Sequence, residues 1–524
     1  MSPPQPFPAG FRRRFSGVAL AAVLVTVALL LPLATAWSAA GEVSIAWPSL
    51  GASLAVAAAA AVLAVVVGGV LAAALALTDL PARGLWATAL VLPFVCPPMV
   101  WALGQVYCYG PGGLLERWLG GTWRGMLAWT DAGHYLATTL VLAQIHVPLA
   151  LLILGRGMGR LHHAGLEAAR LFLTPLRLAA WIAGAVRPEA AAALLLILAL
   201  ALGNLAVPHL LQCRLYPIEI YVRMANYLDA PGAVGAALPL VVLTLAAAGC
   251  IGLVERRSAA AAAGSPSPPP VPIRLGRKAW AVGAMLALYL ALSSLLPLAA
   301  MLFECRSPGH FWEAVRAAAA ETENSLAIGL GASLVALAAG LAVGAWASTR
   351  ASAAVHVVAS LPLGVPALVL ALGYLRFYNR TWPLDLTPFA HSAGLVVLAL
   401  GVRGWPFATR LVAAGHQRIA PGWHEAAELA GLRRGQRWRW ITGPLVADHA
   451  MAGALVAFIL AVGDVEISQM LCVPGSGTLA LRLFSCLHFG PAHVAASLAV
   501  LHLAIAAAPV MIYFVITNRC LQVV

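Results

Sequence analysis

Arg403, Asp464 and Glu466 are ionisable side chains set inside stretches otherwise apolar enough to lie in a lipid bilayer. A charge in hydrocarbon is expensive, so such residues pair with one another or line a water-filled path. An Arg403–Asp464 pair would satisfy two costly charges structurally; with Glu466, the same residues would equally suit contact with a polar solute in transit. Asn204 occupies the position matching Asp464 in an earlier copy of the local sequence, and Ala206 the position matching Glu466. A path lined by these residues is therefore not symmetric in charge. His146 and His209 also lie in or near apolar stretches. His209 with Cys213 suggests a soft metal site, but no third ligand is spaced for it, and lone histidines of this kind are ordinarily packed or hydrogen-bonded. Paired carboxylates, a metal triad and an activated nucleophile are all missing from the pattern. The sequence therefore points to no metal, no cofactor and no enzyme.

The composition narrows the classes further. Of 524 residues, 62% are hydrophobic and 10% charged, against about 25% charged in an ordinary soluble protein. The formal charge is +13, and Lys278 is the single lysine. A phosphate-binding loop of the form G-x-x-x-x-G-K-[ST] requires a lysine followed by Ser or Thr. Lys278 precedes Ala279, so any ATP hydrolysis must occur on another polypeptide. The eight cysteines form no C-x-x-C pair, which removes zinc-ribbon and thioredoxin-like readings. Aromatic residues do not interleave with the arginines, so nucleic acid is not an expected partner.

The elements that must position the charges are membrane helices. Apolar runs of spanning length fall near 15–37, 50–77, 86–107, 134–155, 189–211, 233–254, 279–303, 325–348, 355–375, 392–414, 446–473 and 491–516, about twelve in all. In lipid the backbone must satisfy its own hydrogen bonds, so these runs are read as helices, with Pro93, Pro97 and Pro98 tolerated by neighbouring helices. Arg12, Arg13 and Arg14 precede the first run and put the N-terminus in the cytoplasm. An even number of spans returns the C-terminus to the same side. Glu304, Glu313, Glu321 and Glu323 then share one outer loop, which either suits a cationic solute or is simply solvated. The N-terminus mimics a secretory signal ending in Ala34-Thr35-Ala36. However, Leu30-Leu31-Pro32-Leu33-Ala34 reappears internally as Leu295-Leu296-Pro297-Leu298-Ala299, and the first copy is read as a retained helix.

That repetition is one of several. Leu92-Pro93, Pro97, Val100 and Ala102-Leu103-Gly104 recur with every spacing kept as Leu361-Pro362, Pro366, Val369 and Ala371-Leu372-Gly373. Pro148 matches Pro406, and Leu200-Ala201-x-Gly203-Asn204 matches Leu460-Ala461-x-Gly463-Asp464. The chain reads as two tandem six-helix units, parallel because six is even. Residues 1–254 form the first and 279–524 the second. Between them, 255–278 is a cytoplasmic linker containing the Pro/Ser/Ala-rich run Ser258–Pro272, which cannot bury a core.

The loop between the tenth and eleventh spans reads Glu425-Ala426-Ala427, three residues, Gly431, nine residues, Ile441, two residues, Pro444. Glu425 to Leu432 has helix-forming composition, its small alanines permit close packing, and Gly431 supplies a helix stop with positive φ. Arg433, Arg434, Arg437 and Arg439 add a basic rim. This pattern, E-A-A-x3-G-x9-I-x-x-P, resembles that of the membrane-spanning permeases of binding-protein-dependent ABC importers, with Gly443 departing from their usual leucine. The first half carries Glu167-Ala168-Ala169 at the matching place, with Leu173 for Gly431 and Val186 for Pro444. Within the superfamily the second half is most similar to the ferric-iron and thiamine group, through Arg403-Gly404-Trp405-Pro406-Phe407 and Pro474-Gly475-x-x-Thr478-Leu479-x-x-Arg482-Leu483-Phe484. Putrescine and phosphonate permeases share much of it.

The resemblance implies an all-α integral membrane protein of the type I ABC importer fold, two permease halves fused, in a bacterial inner (plasma) membrane. It implies two copies of an ABC ATPase subunit at the cytoplasmic loops and a periplasmic solute-binding protein outside. The function implied is ATP-driven import of a small solute by alternating access, with ferric iron the leading candidate. The rival is an ion-gradient-driven secondary transporter with two six-helix halves, which would have no use for the Glu425–Pro444 loop.

Overall fold

Backbone N–H and C=O groups in hydrocarbon must pair within the segment, and helices meet that demand. The computed structural model describes residues 23, 25–32, 34–35, 44–120, 131–261, 272–348, 358–381 and 384–517. Among these the chain is all-α, and its one β feature is an isolated bridge between Thr78 and Ile273. Eight helices are long and apolar enough to cross a membrane: Trp47–Leu77, Ala132–Met158, Ala230–Ile251, Gly276–Glu304, Ala319–Ala347, Ala393–Gln417, Gly435–Gly463 and Ala492–Tyr513. Two bent pairs, Arg83–Val95 with Pro98–Leu119 and Pro175–Ala185 with Arg187–Leu202, raise the number to ten if each is one span. The first expected span, 15–37, and the ninth, 355–375, lie partly outside the described residues.

The bends correct the expectation that neighbouring helices carry the prolines through. The third element turns by 102° between Val95 and Pro98. A residue before proline is pushed out of the helical region by the proline ring, and Cys96 sits at φ −73°, ψ 125°, followed by Pro97 at φ −55°, ψ 139°. The same backbone recurs in the ninth element, where Val365 sits at φ −93°, ψ 127° and Pro366 at φ −52°, ψ 138°, between helices Leu361–Gly364 and Ala367–Tyr378. The fifth and eleventh elements are likewise broken. Helix Arg187–Leu202 stops before a short helix Ala206–Leu210, and helix Gly443–Gly463 before Glu466–Leu471.

The chain divides into two compact units, each combining segments distant in sequence: Met1–Glu42 with Glu323–Thr478, and Val43–Thr322 with Leu479–Val524. In the first unit, small residues let helices approach closely, as they do generally between membrane helices. Ala336, Ala408 and Ala457 form one buried cluster. A Cβ at Gly340 would meet Ala408 Cβ at 2.8 Å and the Ala408 carbonyl carbon at 2.9 Å. Tyr374 Oη donates to Leu29 O at 2.5 Å and Thr35 Oγ1 to Gly373 O at 3.0 Å, tying helix Ala367–Tyr378 to the N-terminal segment. In the second unit, helix Trp47–Leu77 packs along helix Asp131–Met158, and helix Arg187–Leu202 packs against both. There Gln105 Nε2 donates to Ser293 O at 2.9 Å, so one of the few buried amides is satisfied by backbone.

Candidate functional site

The loop with the most specific sequence pattern forms a helix over Pro421–Leu429. It starts four residues earlier than Glu425, because Pro421 takes the first helical position, where its fixed φ helps and its missing N–H is not needed. Its end is a two-bond closure. Leu432 N–H donates to Ala427 O and Gly431 N–H to Glu428 O, both at 3.0 Å, with Gly431 at φ +68°. This is the turn in which a left-handed residue caps the last carbonyls, and glycine adopts it without a Cβ penalty. Glu428 then pairs with Arg437 at 2.7 Å, and Gln436 Oε1 accepts from Arg433 N at 2.8 Å, holding the basic segment against the helix. Arg439 lies with its guanidinium 5.4 Å from the Trp440 ring centroid.

Ile441 lies within a π-helical turn, Trp438–Thr442, and Pro444 opens the next long helix. Gly443, which departs from the importer pattern, donates its N–H to Trp438 O across that wide turn. A Cβ at Gly443 would stand 2.7 Å from the same oxygen. The wide turn and the glycine therefore belong together.

The first-half loop folds as a helix over His163–Phe172, starting at the position that matches Pro421. Glu167 pairs with Arg170 at 2.7 Å. The helix ends differently: Leu173 is extended at φ −106°, ψ 140°, and Thr174 leads into a second helix at Pro175. Lacking a glycine for the left-handed cap, this copy stops by leaving the helix outright. In both copies the second alanine of the triplet, Ala169 or Ala427, is buried, while Ala168 and Ala426 face outward. Glu425 is exposed and Glu167 half-buried.

Large apolar side chains on these helices were not singled out by spacing. Leu171 and Leu429, at matching positions, are 78% and 91% exposed, and Phe172, Leu176 and Trp423 are exposed beside them. The signal that could have found them is amphipathic phase. With Ala169 or Ala427 fixed inward, a residue two positions on must face out.

The buried charges are brought together as one of the two sequence readings required. Arg403 Nε lies 3.6 Å from Asp464 Oδ2, with the side chains 24% and 8% exposed. Arg403 Nη1 is buried without a hydrogen-bond partner. Asp464 Oδ1 accepts from Ile467 N at 2.7 Å, so this carboxylate also starts the short helix Glu466–Leu471. Asn204 does the same in the other copy, its Oδ1 accepting from Val207 N at 3.0 Å. The backbone agrees too: Asn204 N donates to Ala201 O at 3.3 Å and Asp464 N to Ala461 O at 3.4 Å. Where Asn204 replaces Asp464, Ile145 stands at the position of Arg403. The two charges are present together in one copy and absent together in the other. Glu466 is the half-buried first residue of its short helix, where a carboxylate complements the positive end of the helix.

His209 packs among aromatic rings. Its ring lies 5.3 Å from that of His488 and 5.2 Å from Phe484, in a tilted aromatic cluster. Among the described residues no group of three His, Cys, Asp or Glu side chains is placed to hold a metal ion. The chain matches no known protein family and no curated protein.

Proposed function

We propose that this chain is the membrane permease of an ATP-driven importer, two six-helix halves fused, receiving a small solute from a binding protein and passing it inward by alternating access. One observation carries the reading. The E-A-A-x3-G-x9-I-x-x-P segment forms a short, exposed helix, closed by Gly431 and joined through a wide turn to a membrane-length helix. A helix tied this way transmits force. Its closing bonds and the Glu428–Arg437 pair resist unwinding, so a partner gripping Trp423, Glu425 and Leu429 would move helix Gly435–Gly463 rather than fray the grip.

Two ATPase subunits, one at each loop helix, would supply the energy that the single-lysine sequence cannot. Ferric iron is the leading substrate, with thiamine, a polyamine and a phosphonate as alternatives. Both termini are assigned to the cytoplasm and the protein to a bacterial inner membrane. The Arg403–Asp464 pair is assigned a structural part, since its members are lost together in the other copy. Gly431→Asp tests the coupling: it should abolish ATP-dependent uptake while leaving the helical fold intact by circular dichroism. Unimpaired uptake in that variant, or uptake driven by an ion gradient without ATP, favours the secondary-transporter reading.

A further inference from the structure

At one end of the membrane-length helix Gly276–Glu304, a cavity of about 640 Å³ is lined by Arg117, Leu302, Phe303, Glu304 and Arg306. Arg117 is fixed in place: its Nε donates to Gly112 O at 2.8 Å and its Nη2 pairs with Glu304 at 3.0 Å. That pair neutralises Glu304 and leaves Arg306 as the uncompensated charge. No hydrogen bond or ion pair holds the Arg306 side chain among the described residues.

The backbone of Arg306 sharpens the point. Arg306 sits at φ +65° and donates its N–H to Phe303 O at 3.2 Å, closing helix Leu296–Glu304. Gly431 closes its own helix with the same bond and nearly the same φ. One turn uses glycine, which is free of strain there; the other uses arginine, which is not. A strained position that keeps a long cationic side chain in the lining of a cavity is a pointer to use.

The surroundings identify the ligand. Trp118, Leu119, Leu302 and Phe303 are all exposed, and all lie within two residues of the Arg117–Glu304 pair. A site for a water-soluble anion has no reason to surround its arginines with tryptophan, leucine and phenylalanine. The boundary between lipid tails and headgroups does, with amphipathic aromatics at headgroup level. Guanidinium groups match phosphate in geometry and charge. We propose that this cavity binds an anionic phospholipid, its phosphodiester held by Arg306 and Arg117 and its acyl chains lying on Leu302, Phe303 and Trp118. This inference rests on the chain being a membrane protein and not on its being an importer.

The test uses the intact chain, stripped of lipid in mild detergent and titrated by native mass spectrometry. The probes are phosphatidylglycerol, phosphatidylcholine with the same acyl chains, and soluble glycerol phosphate. Phosphatidylglycerol should bind in preference to the other two. Arg306→Gly should weaken it about fivefold, the effect of removing one arginine from a membrane-surface site, while equalling or exceeding the wild type in thermal stability without lipid. Should that variant be less stable, Arg306→Gln decides: weaker phosphatidylglycerol binding supports the site, and unchanged binding overturns it. Equal binding of both phospholipids, or glycerol phosphate binding as tightly as phosphatidylglycerol, would also overturn it, the latter by revealing a soluble-anion site.

Discussion

Replacing Asp464 by asparagine isolates what the buried ion pair does. The asparagine keeps the capping oxygen, because Asn204 already makes the equivalent bond to Val207 N at 3.0 Å. What changes is the charge opposite Arg403, whose Nη1 already lacks a hydrogen bond. Breaking a fully buried pair costs about 3–5 kcal/mol. Here the separation is 3.6 Å and the Arg403 side chain as a whole 24% exposed, so the expected loss is smaller, roughly 2 kcal/mol. The double variant Arg403→Ile/Asp464→Asn reproduces the Ile145 and Asn204 of the other copy and removes both charges. It should return to within about 1 kcal/mol of the wild type, since replacing both members of a buried pair is close to neutral. Equilibrium unfolding in detergent micelles titrated with a denaturing detergent measures both, and adding Arg403→Ile alone completes the cycle that gives the coupling. A single variant as stable as the wild type, or a double variant as unstable as the single, refutes the structural account. A stable double variant that no longer transports would instead put the pair on the path.

Three further outcomes follow from the same geometry. Gly431→Ala places a side chain at φ +68° with no neighbour within 4 Å, so its effect is backbone strain alone, about 1–2 kcal/mol; hydrogen exchange at residues 427–432 should rise roughly 5- to 30-fold, with global stability falling by no more than the strain itself, and unchanged protection would contradict the cap assignment. Gly340→Ala drives a Cβ to within 2.9 Å of the Ala408 backbone, and overpacking of this kind costs about 1–3 kcal/mol, read as a lower unfolding midpoint. Trp423→Ala and Leu429→Ala should leave unfolding unchanged while weakening retention of an ATPase partner by about 2 kcal/mol, as expected for buried interface anchors; retention at the wild-type level would remove them from the interface.

The parts of the fold legible in the sequence are those written as side-chain chemistry. Gly431 was readable because a helix end favours a left-handed residue, and the Asn204–Asp464 correspondence because the Leu-Ala-x-Gly run before each repeats; that both side-chain oxygens start a short helix emerges only from the structure. The recurrence of Leu-Pro and Pro at 92–97 and 361–366 reads as repetition, and the structure gives it similar backbone angles, φ −73°, ψ 125° at Cys96 and φ −93°, ψ 127° at Val365. The bends themselves were not legible as breaks. Hydropathy continues unbroken through Val95 to Val100, and an apolar window does not register that Pro97 excludes its predecessor from the helix. Nor does spacing reveal where an apolar residue faces: Leu171 and Leu429 look like core until Ala169 and Ala427 are seen to take the inward position. The wide turn at Trp438–Thr442 gives Gly443 a role that a pattern of residue types alone leaves as an anomaly.

The permease reading stands or falls on isolating the intact chain from its native membranes in mild detergent, identifying what remains bound and assaying ATP hydrolysis. A permease of this kind should retain an ATP-hydrolysing subunit, two copies per chain, with the copy at the Glu425 loop released by Gly431→Asp without loss of the helical fold. An isolate that carries no ATPase and moves its solute into vesicles on an ion gradient alone would contradict it.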